Sequence, residues 1–397
     1  MITRNIQQLY TKFKYYNSHR DKKLWVFGEW FGERCCDNAF FLANHIAEYH
    51  PEITLCWVVG SHCDTSKLHT RIKLIAIDSD DAVNTLKRAG AIIVVQGLGD
   101  VTNSHAYYFG GAVVINLWHG VPWKKIGGDK LKSKAQFLYN KYWVSHFEAD
   151  YYLSTSREFD TILKRGYYCG EKGLIKSGYP RNSLFYDKCK VEECRSQLMR
   201  LLSEKGFSIN GSTKIVTYMP TFRDNTDEVF SFEQIMDNAE LLSILLKNNA
   251  IIIEKAHFVS NHRLKDNTLR QNPHFFRLPE YASQELLAAS DVLITDYSSC
   301  FYDFLLLDRP IIHFLYDYYY YSQNDRGLYY KKEDVNCGAV AESEEMLISS
   351  IEESLRDGSV YHDLRKERKN KYMEYESHSS CEDVYKAVYS CVSDKLA

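Results

Sequence analysis

The sequence predicts an α/β protein made of two Rossmann-like, doubly wound domains facing each other across a cleft. Three observations carry this expectation. Short runs of β-branched and aromatic residues are almost continuously apolar, segments with helical spacing lie between them, and a length of 397 residues suits two ordinary cores better than one. The apolar fraction of 45% is that of a globular chain, and 20 glycines with 7 prolines leave little sequence for loose linkers.

The first series of strands is read at LWVFGEW (24–30), ITLCWVV (53–59), KLIAI (73–77), AIIVVQG (91–97), AVVINLW (112–118) and YYLSTS (151–156). Helical spacing over 38–49 and 81–89 separates them, the βαβ signature of a parallel sheet covered on both faces. A second series follows at KIVTYMP (214–220), AIIIEKA (250–256), HFFRL (274–278), DVLITDY (291–297) and PIIHFL (310–315), with helices expected over 232–247, 283–289 and 300–307. The expected division is a basic amphipathic segment over 1–24, a Rossmann-like domain over 25–175, a second over 176–365, and closing helices over 366–397.

A net charge of −3 argues against a globally basic nucleic-acid binder, so no nucleic-acid partner is expected. Eleven scattered cysteines without a CxxC pair fit a reducing compartment better than a disulfide framework or a zinc site. No apolar run approaches the ~18 residues of a membrane span, and the start of the chain has no secretory h-region.

In sheets of this kind ligands bind beyond the carboxyl ends of strands, which directs attention to the residues that follow them. Trp118-His119-Gly120 ends one strand and leads into Trp123, Lys124 and Lys125. A histidine there either faces the cleft and moves a proton near neutral pH, or satisfies backbone in a turn. His257 ends another, with Lys255 on the same face if the strand continues; a solvated lysine and a packing histidine are the alternative. After DVLITDY, Ser298 and Ser299 open a helix, which offers hydroxyls and free N–H groups to a phosphate or merely caps the helix. Asp303 lies one turn on, able to accept from a polyol hydroxyl. Arg223 and Arg326 sit in loops where a guanidinium can clamp phosphate, although a surface ion pair is the more frequent use. Asp78-Ser79-Asp80 looks like a metal-binding DxD, but its place between strand and helix reads as helix capping.

Taken in order, WHGVPWKKIGGD (118–129), SGYPRNSLF (177–185), YMPTFRD, EKAH and ITDYSSCFYDFLLLDRPIIHFLYD followed by RGLYY resemble the CDP-glycerol glycerophosphotransferases of teichoic-acid and capsule synthesis. VFGEWFGERCCDNAFFLANHI (26–46) is similar too, so the likeness covers roughly 24–330. The resemblance implies a GT-B fold with the acceptor on the first domain and the CDP donor on the second, and neither a metal nor a cofactor in the transfer site. It implies that His119 and His257 are required for transfer, and that Ser298, Ser299 and Asp303 bind the donor with Arg223, Lys255 and Arg326 as phosphate partners. Trp118, Gly120, Trp123 and Lys124 fall on the acceptor side; Trp123 stands where the family usually carries leucine, and Phe258 where it carries proline. The implied reaction moves glycerol phosphate from CDP-glycerol to a hydroxyl of a lipid-linked or polymeric glycan, releasing CMP. A CDP-ribitol donor and a GT-B glycosyltransferase using a nucleotide hexose are the alternatives.

A peripheral position on the cytoplasmic face of the plasma membrane is also expected. Ile2, Ile6, Leu9, Phe13 and Tyr16 recur at helical spacing, while Arg4, Lys12, Lys14, Arg20, Lys22 and Lys23 gather against Asp21 alone. Residues 122–147 mix lysines with Trp123, Phe137, Tyr139, Tyr142, Trp143 and Phe147. Helices packed on the domain with lysines in water are the alternative for both.

Overall fold

The computed structural model describes residues 2–104, 106–131, 133–221, 230–255, 272–324 and 327–396. They form two compact units, one of residues 1–119, 127–183 and 374–397, the other of 120–126 and 184–373. The division thus falls after Ser183 rather than after residue 175. The closing helices also part: His362–Tyr372 lies in the second unit and Ser380–Lys395 in the first. The latter buries Val384, Val388 and Val392 at a spacing of four, so its apolar stripe joins the first core, and Tyr385 packs on Trp25.

The first unit holds a seven-stranded parallel sheet: β1 (Asp21–Phe27), β2 (Thr54–Val59), β3 (Lys73–Ala76), β4 (Ala89–Val94), β5 (Val113–Asn116), β6 (Tyr151–Ser154) and β7 (Leu174–Lys176). Their order is 3-2-1-4-5-6-7, with Val26 opposite both Cys56 and Ile92. The second unit holds β8 (Lys214–Met219), β9 (Ala250–Glu254), β10 (Phe275–Arg277), β11 (Val292–Thr295), β12 (Ile311–Phe314) and β13 (Ala339–Ala341) in the order 10-9-8-11-12-13. Strand order reverses between β1 and β4 in one sheet and between β8 and β11 in the other, and at such a switch point the departing loops leave a crevice.

Alternation along each strand feeds two cores. Val216, Ile252, Ile294 and Ile312 pack with Leu241, Ile244 and Leu347, whereas Ile215, Ile251 and Ile253 pack with Leu198, Leu202 and Leu286. The helices Asn38–Tyr49 and Ser283–Ala289 match their expected spans. The helix expected over 232–247 is a 3₁₀ turn, Phe232–Ile235, followed by Ala239–Lys247, which Asn238 caps by accepting from Glu240 and Leu241 N–H. The Asp78-Ser79-Asp80 stretch does cap: the Ser79 side chain accepts from Ala82 N–H, and Asp78 takes the Thr102 hydroxyl at 2.6 Å.

β12 carries a wholly buried His313, whose Nε2 accepts from Cys337 N–H at 3.1 Å. Burial pulls its pKa from 6.5 down to about 4, with Asp296 acting in the opposite sense. The unfolded chain therefore binds the extra proton first as pH falls. The stabilisation is complete above pH 6.5 and is lost on the way to pH 4, a total of about 3 kcal/mol. By about pH 5.5, urea unfolding of the wild type should have lost about 1 kcal/mol more, relative to pH 7, than His313→Gln, which retains an acceptor but no titration. Equal losses in the two proteins would remove His313 as an acid-sensitive element.

Candidate active site

In the first unit the site grows from the switch point. Gly28 follows β1 where any Cβ would lie 2.2 Å from the Asp100 carbonyl oxygen, so only glycine lets the two loops touch. Trp30 and Phe31 then adopt left-handed backbone, φ 48° and 58°, a conformation that costs roughly 1 kcal/mol or more per non-glycine residue. Two buried carboxylates hold the loops in place. Asp100 accepts from Val95, Gln96 and Gly97 N–H with one oxygen and from Phe31 N–H with the other. Glu29 accepts from Cys36, Asp37 and Phe40 N–H at the start of the helix Asn38–Tyr49. Burial raises the pKa of both; Asp37 adds to the rise at Glu29, and the backbone donors oppose it in each.

Asp37 caps that helix and joins the network. It accepts from Asn38 N–H, from Trp30 Nε1 at 3.1 Å and from Arg181 Nη1 at 2.7 Å, in an ion pair whose side chains are both 7% exposed. Arg181 Nη1 also donates to the His119 carbonyl at 2.9 Å. The turn after β5 is set from either side: Asn116 Oδ1 accepts from Trp118 N–H, and Asn38 Nδ2 donates to the Trp118 carbonyl, both at 2.8 Å. Trp118 takes φ 61° and Gly120 φ 143°. The His119 ring is half-buried, stacked on Trp118 at 5.0 Å and 23° and edge-on to Trp30, with Nδ1 3.5 Å from the Val95 carbonyl. His119 thus stands beyond the carboxyl end of β5 with its main chain and ring both fixed.

In the second unit the switch point lies after β8 and β11. Asp296, fully buried, accepts from Thr221 N–H at 2.8 Å and Tyr297 N–H at 2.6 Å, which ties the two departing loops together. Tyr297 donates to Asp317 and stacks on Tyr321 at 3.8 Å. Ser298 and Ser299 are half-buried at the head of a helix, but that helix is only Cys300–Phe304 and continues as a 3₁₀ turn over Leu305–Leu307. An anion there would meet hydroxyls and N–H groups more than a long dipole. Lys255 follows β9, and its Nζ donates to the Pro279 carbonyl at 2.8 Å. His257, Arg223 and Arg326 lie outside the described residues.

Three expected positions differ. Asp303 is 2% exposed, with Oδ2 3.4 Å from Gln284 Nε2, because its helix buries this face; it is an interior group rather than one open to a polyol. Trp123 belongs to the second unit, fully buried against Tyr297, Phe301 and His313 with Nε1 donating to the Tyr330 carbonyl, so it packs a core rather than meeting an acceptor. Trp118 is buried too, held between His119, Phe159 and Tyr167, and serves as the platform of the histidine. Lys124 pairs with Leu328 in an isolated antiparallel bridge, while Gly120 supplies the positive φ of the turn. Glu29, Asp37, Asp100 and Arg181 were not singled out from sequence; the signal available was acidic residues just after two strands that flank a switch point.

Both units are parallel sheets with the Rossmann strand order, and both gather their polar, strained or tethered residues at the switch point. The molecule is therefore of the two-domain Rossmann class. The wall teichoic acid polymerase TagF shares this fold, with a TM-score of 0.79 at 18% identity over 99% of this chain and 95% of that one. The model of the family described as CDP-glycerol:poly(glycerophosphate) glycerophosphotransferase matches residues 9–390, and the chain belongs to that family. Its relatives include the teichoic acid poly(glycerol phosphate) polymerase of Bacillus spizizenii, 30% identical over 244 residues that make up 60% of each chain. The teichoic acid glycerol-phosphate transferase of Staphylococcus aureus is 25% identical over 406 residues, 97% of this chain and 100% of that one.

Proposed function

We propose that this protein transfers glycerol phosphate from CDP-glycerol to a hydroxyl of a lipid-linked or polymeric glycan acceptor in teichoic-acid or capsule synthesis. The observation that carries the reading is His119, fixed beyond the carboxyl end of β5 in a member of this family. In the reaction the acceptor oxygen bonds to the phosphorus that bears glycerol, the bond from that phosphorus to the CMP oxygen breaks, and His119 takes the hydroxyl proton. Such transfers need positioning and charge stabilisation more than covalent help. His257, Lys255, Arg223, Arg326 and the Ser298–Ser299 turn are assigned to the diphosphate. Supporting the donor, a histidine-to-asparagine form of TagF has been solved with CDPG.

Ribitol phosphate is the second reading, because a poly(ribitol-phosphate) polymerase of Bacillus spizizenii is also 30% identical over 256 residues. The two polyols differ in chain length, hydroxyl count and the configuration of the extra carbons, so pocket shape decides between them. CMP release from CDP-glycerol, CDP-ribitol and, for comparison, UDP release from UDP-hexoses, with mass spectrometry of the acceptor products, tests the assignment. Release from CDP-ribitol alone, or of UDP alone, overturns it.

The cytoplasmic membrane surface is proposed as the second partner. Ile6, Leu9, Tyr10, Phe13 and Tyr16 lie along one face of the helix Ile2–Tyr16 and are all exposed, Phe13 by 71%. Leu138, Tyr139 and Tyr142 are exposed on the helix Lys134–Phe147, to which Lys12 reaches by donating to the His146 carbonyl and lying over the Phe147 ring. No described helix is long and apolar enough to cross a membrane, and a surface-lying pair suits these residues. Flotation with anionic vesicles should carry the wild type and not Phe13→Glu; wild-type protein that stays behind ends this part of the proposal.

A further inference from the structure

A second set of chemistry-bearing side chains lies in the first unit at the far end of the helix Asn38–Tyr49, about 18 Å along its axis from Asp37. His45 comes from the helix, and His50 is its C-cap, with φ −126° and ψ 69°. That departure from helical geometry lets two histidines five apart turn toward one point. Glu382, in the first turn of the helix Ser380–Lys395, meets both: its Oε2 lies 3.1 Å from His45 Nε2 and 2.8 Å from His50 Nε2. Among the described residues this is the one group of three or more His, Cys, Asp or Glu side chains close enough to share an ion, its ligand atoms all within 4.8 Å of one another.

We propose that His45, His50 and Glu382 bind a single divalent cation of the Zn²⁺ type, which clamps the helix Ser380–Lys395 to the helix Asn38–Tyr49. In a tetrahedral shell with bonds of about 2.0–2.2 Å, ligand atoms stand about 3.3–3.6 Å apart, so the two histidine–carboxylate separations need to open by about 0.2–0.8 Å for an ion to enter. Two imidazoles with one carboxylate suit zinc rather than Ca²⁺ or Mg²⁺, which prefer all-oxygen shells. All three residues are half-buried, so an ion has access from solvent.

The surroundings orient the ligands. Tyr385 stacks on the His50 ring at 3.5 Å and 21° and donates its hydroxyl to Glu52 Oε1 at 2.9 Å. The same Glu52 oxygen lies 3.6 Å from His50 Nδ1. A cation on Nε2 leaves Nδ1–H facing a carboxylate, the arrangement that fixes the tautomer of metal-bound histidine. His45 packs on Tyr49 at 4.9 Å, and Lys386 engages the other carboxylate oxygen of Glu382, Oε1, at 3.3 Å, leaving Oε2 to the imidazoles.

The test uses full-length protein stripped with EDTA and titrated with Zn²⁺ alone at about pH 7.5. Expected are one ion bound per chain by calorimetry and metal analysis and a raised thermal midpoint. His45→Gln and Glu382→Gln should each weaken binding by more than about 10-fold and abolish the thermal shift, and Glu52→Gln should cost about 10- to 100-fold. In wild-type protein, bound Zn²⁺ should shield His45 and His50 from diethyl pyrocarbonate, a readout that requires no variant to fold. Absence of stoichiometric binding, undiminished binding in both ligand variants, or unshielded histidines in the zinc-loaded wild type overturns the proposal.

Discussion

His119→Ala is expected to lower the turnover of glycerol phosphate transfer by about 10² to 10⁴, the usual worth of a positioned general base. The fold should be little changed. The fixed parts of this turn are the main-chain bonds from Asn38 to the Trp118 carbonyl and from Arg181 to the His119 carbonyl, and alanine keeps both acceptors. The lost stacking on Trp118 is a half-buried contact. Initial rates of CMP release at saturating CDP-glycerol, beside donor affinity by calorimetry, separate the roles: a base lost on its own lowers turnover and leaves donor affinity within a few fold. Near-normal turnover in the folded variant would remove His119 from the mechanism.

Arg181→Ala should cost stability and activity together. Its partner Asp37 is buried, and removing one side of a buried ion pair strands the other charge, at about 3–5 kcal/mol. Asp37 would keep the Asn38 N–H and Trp30 Nε1 donors, which places the expected loss toward the lower end of that range. The same substitution frees the His119 carbonyl, so the imidazole loses its main-chain tether and transfer should slow even where the protein is folded. Arg181→Lys restores a charge on a shorter side chain without the planar guanidinium, and an intermediate loss is expected. Urea unfolding gives the stability and CMP release the rate; a loss under about 1 kcal/mol with normal transfer would show the pair to be incidental.

Much of the fold was legible because parallel strands buried on both faces are written as nearly unbroken apolar runs. The eleven strands expected from those runs all form. The two that were not read, Leu174–Lys176 and Ala339–Ala341, are three residues long and lie at sheet edges, where neither length nor composition sets them apart from loop. The site was legible in part. His119 follows a strand so apolar that its carboxyl end could be placed, and Ser79-Asp80 does open a helix as expected, whereas Asp78 ties the turn before it to Thr102. The burial of Asp303 was not legible, because a helical spacing shows which residues share a face and not whether that face is buried.

Two parallel sheets, the ends of most of their strands and the residues that follow those ends were readable along the chain, because burial on both faces and local capping are encoded within a dozen neighbouring residues. It took the folded chain to show that Glu29, Asp37 and Arg181 form one network behind His119, that Trp123 is buried in the second core, and that the last helix returns to the first unit. Those are pairings between segments tens to hundreds of residues apart. Their energies come from excluding water around particular partners, which no local pattern specifies.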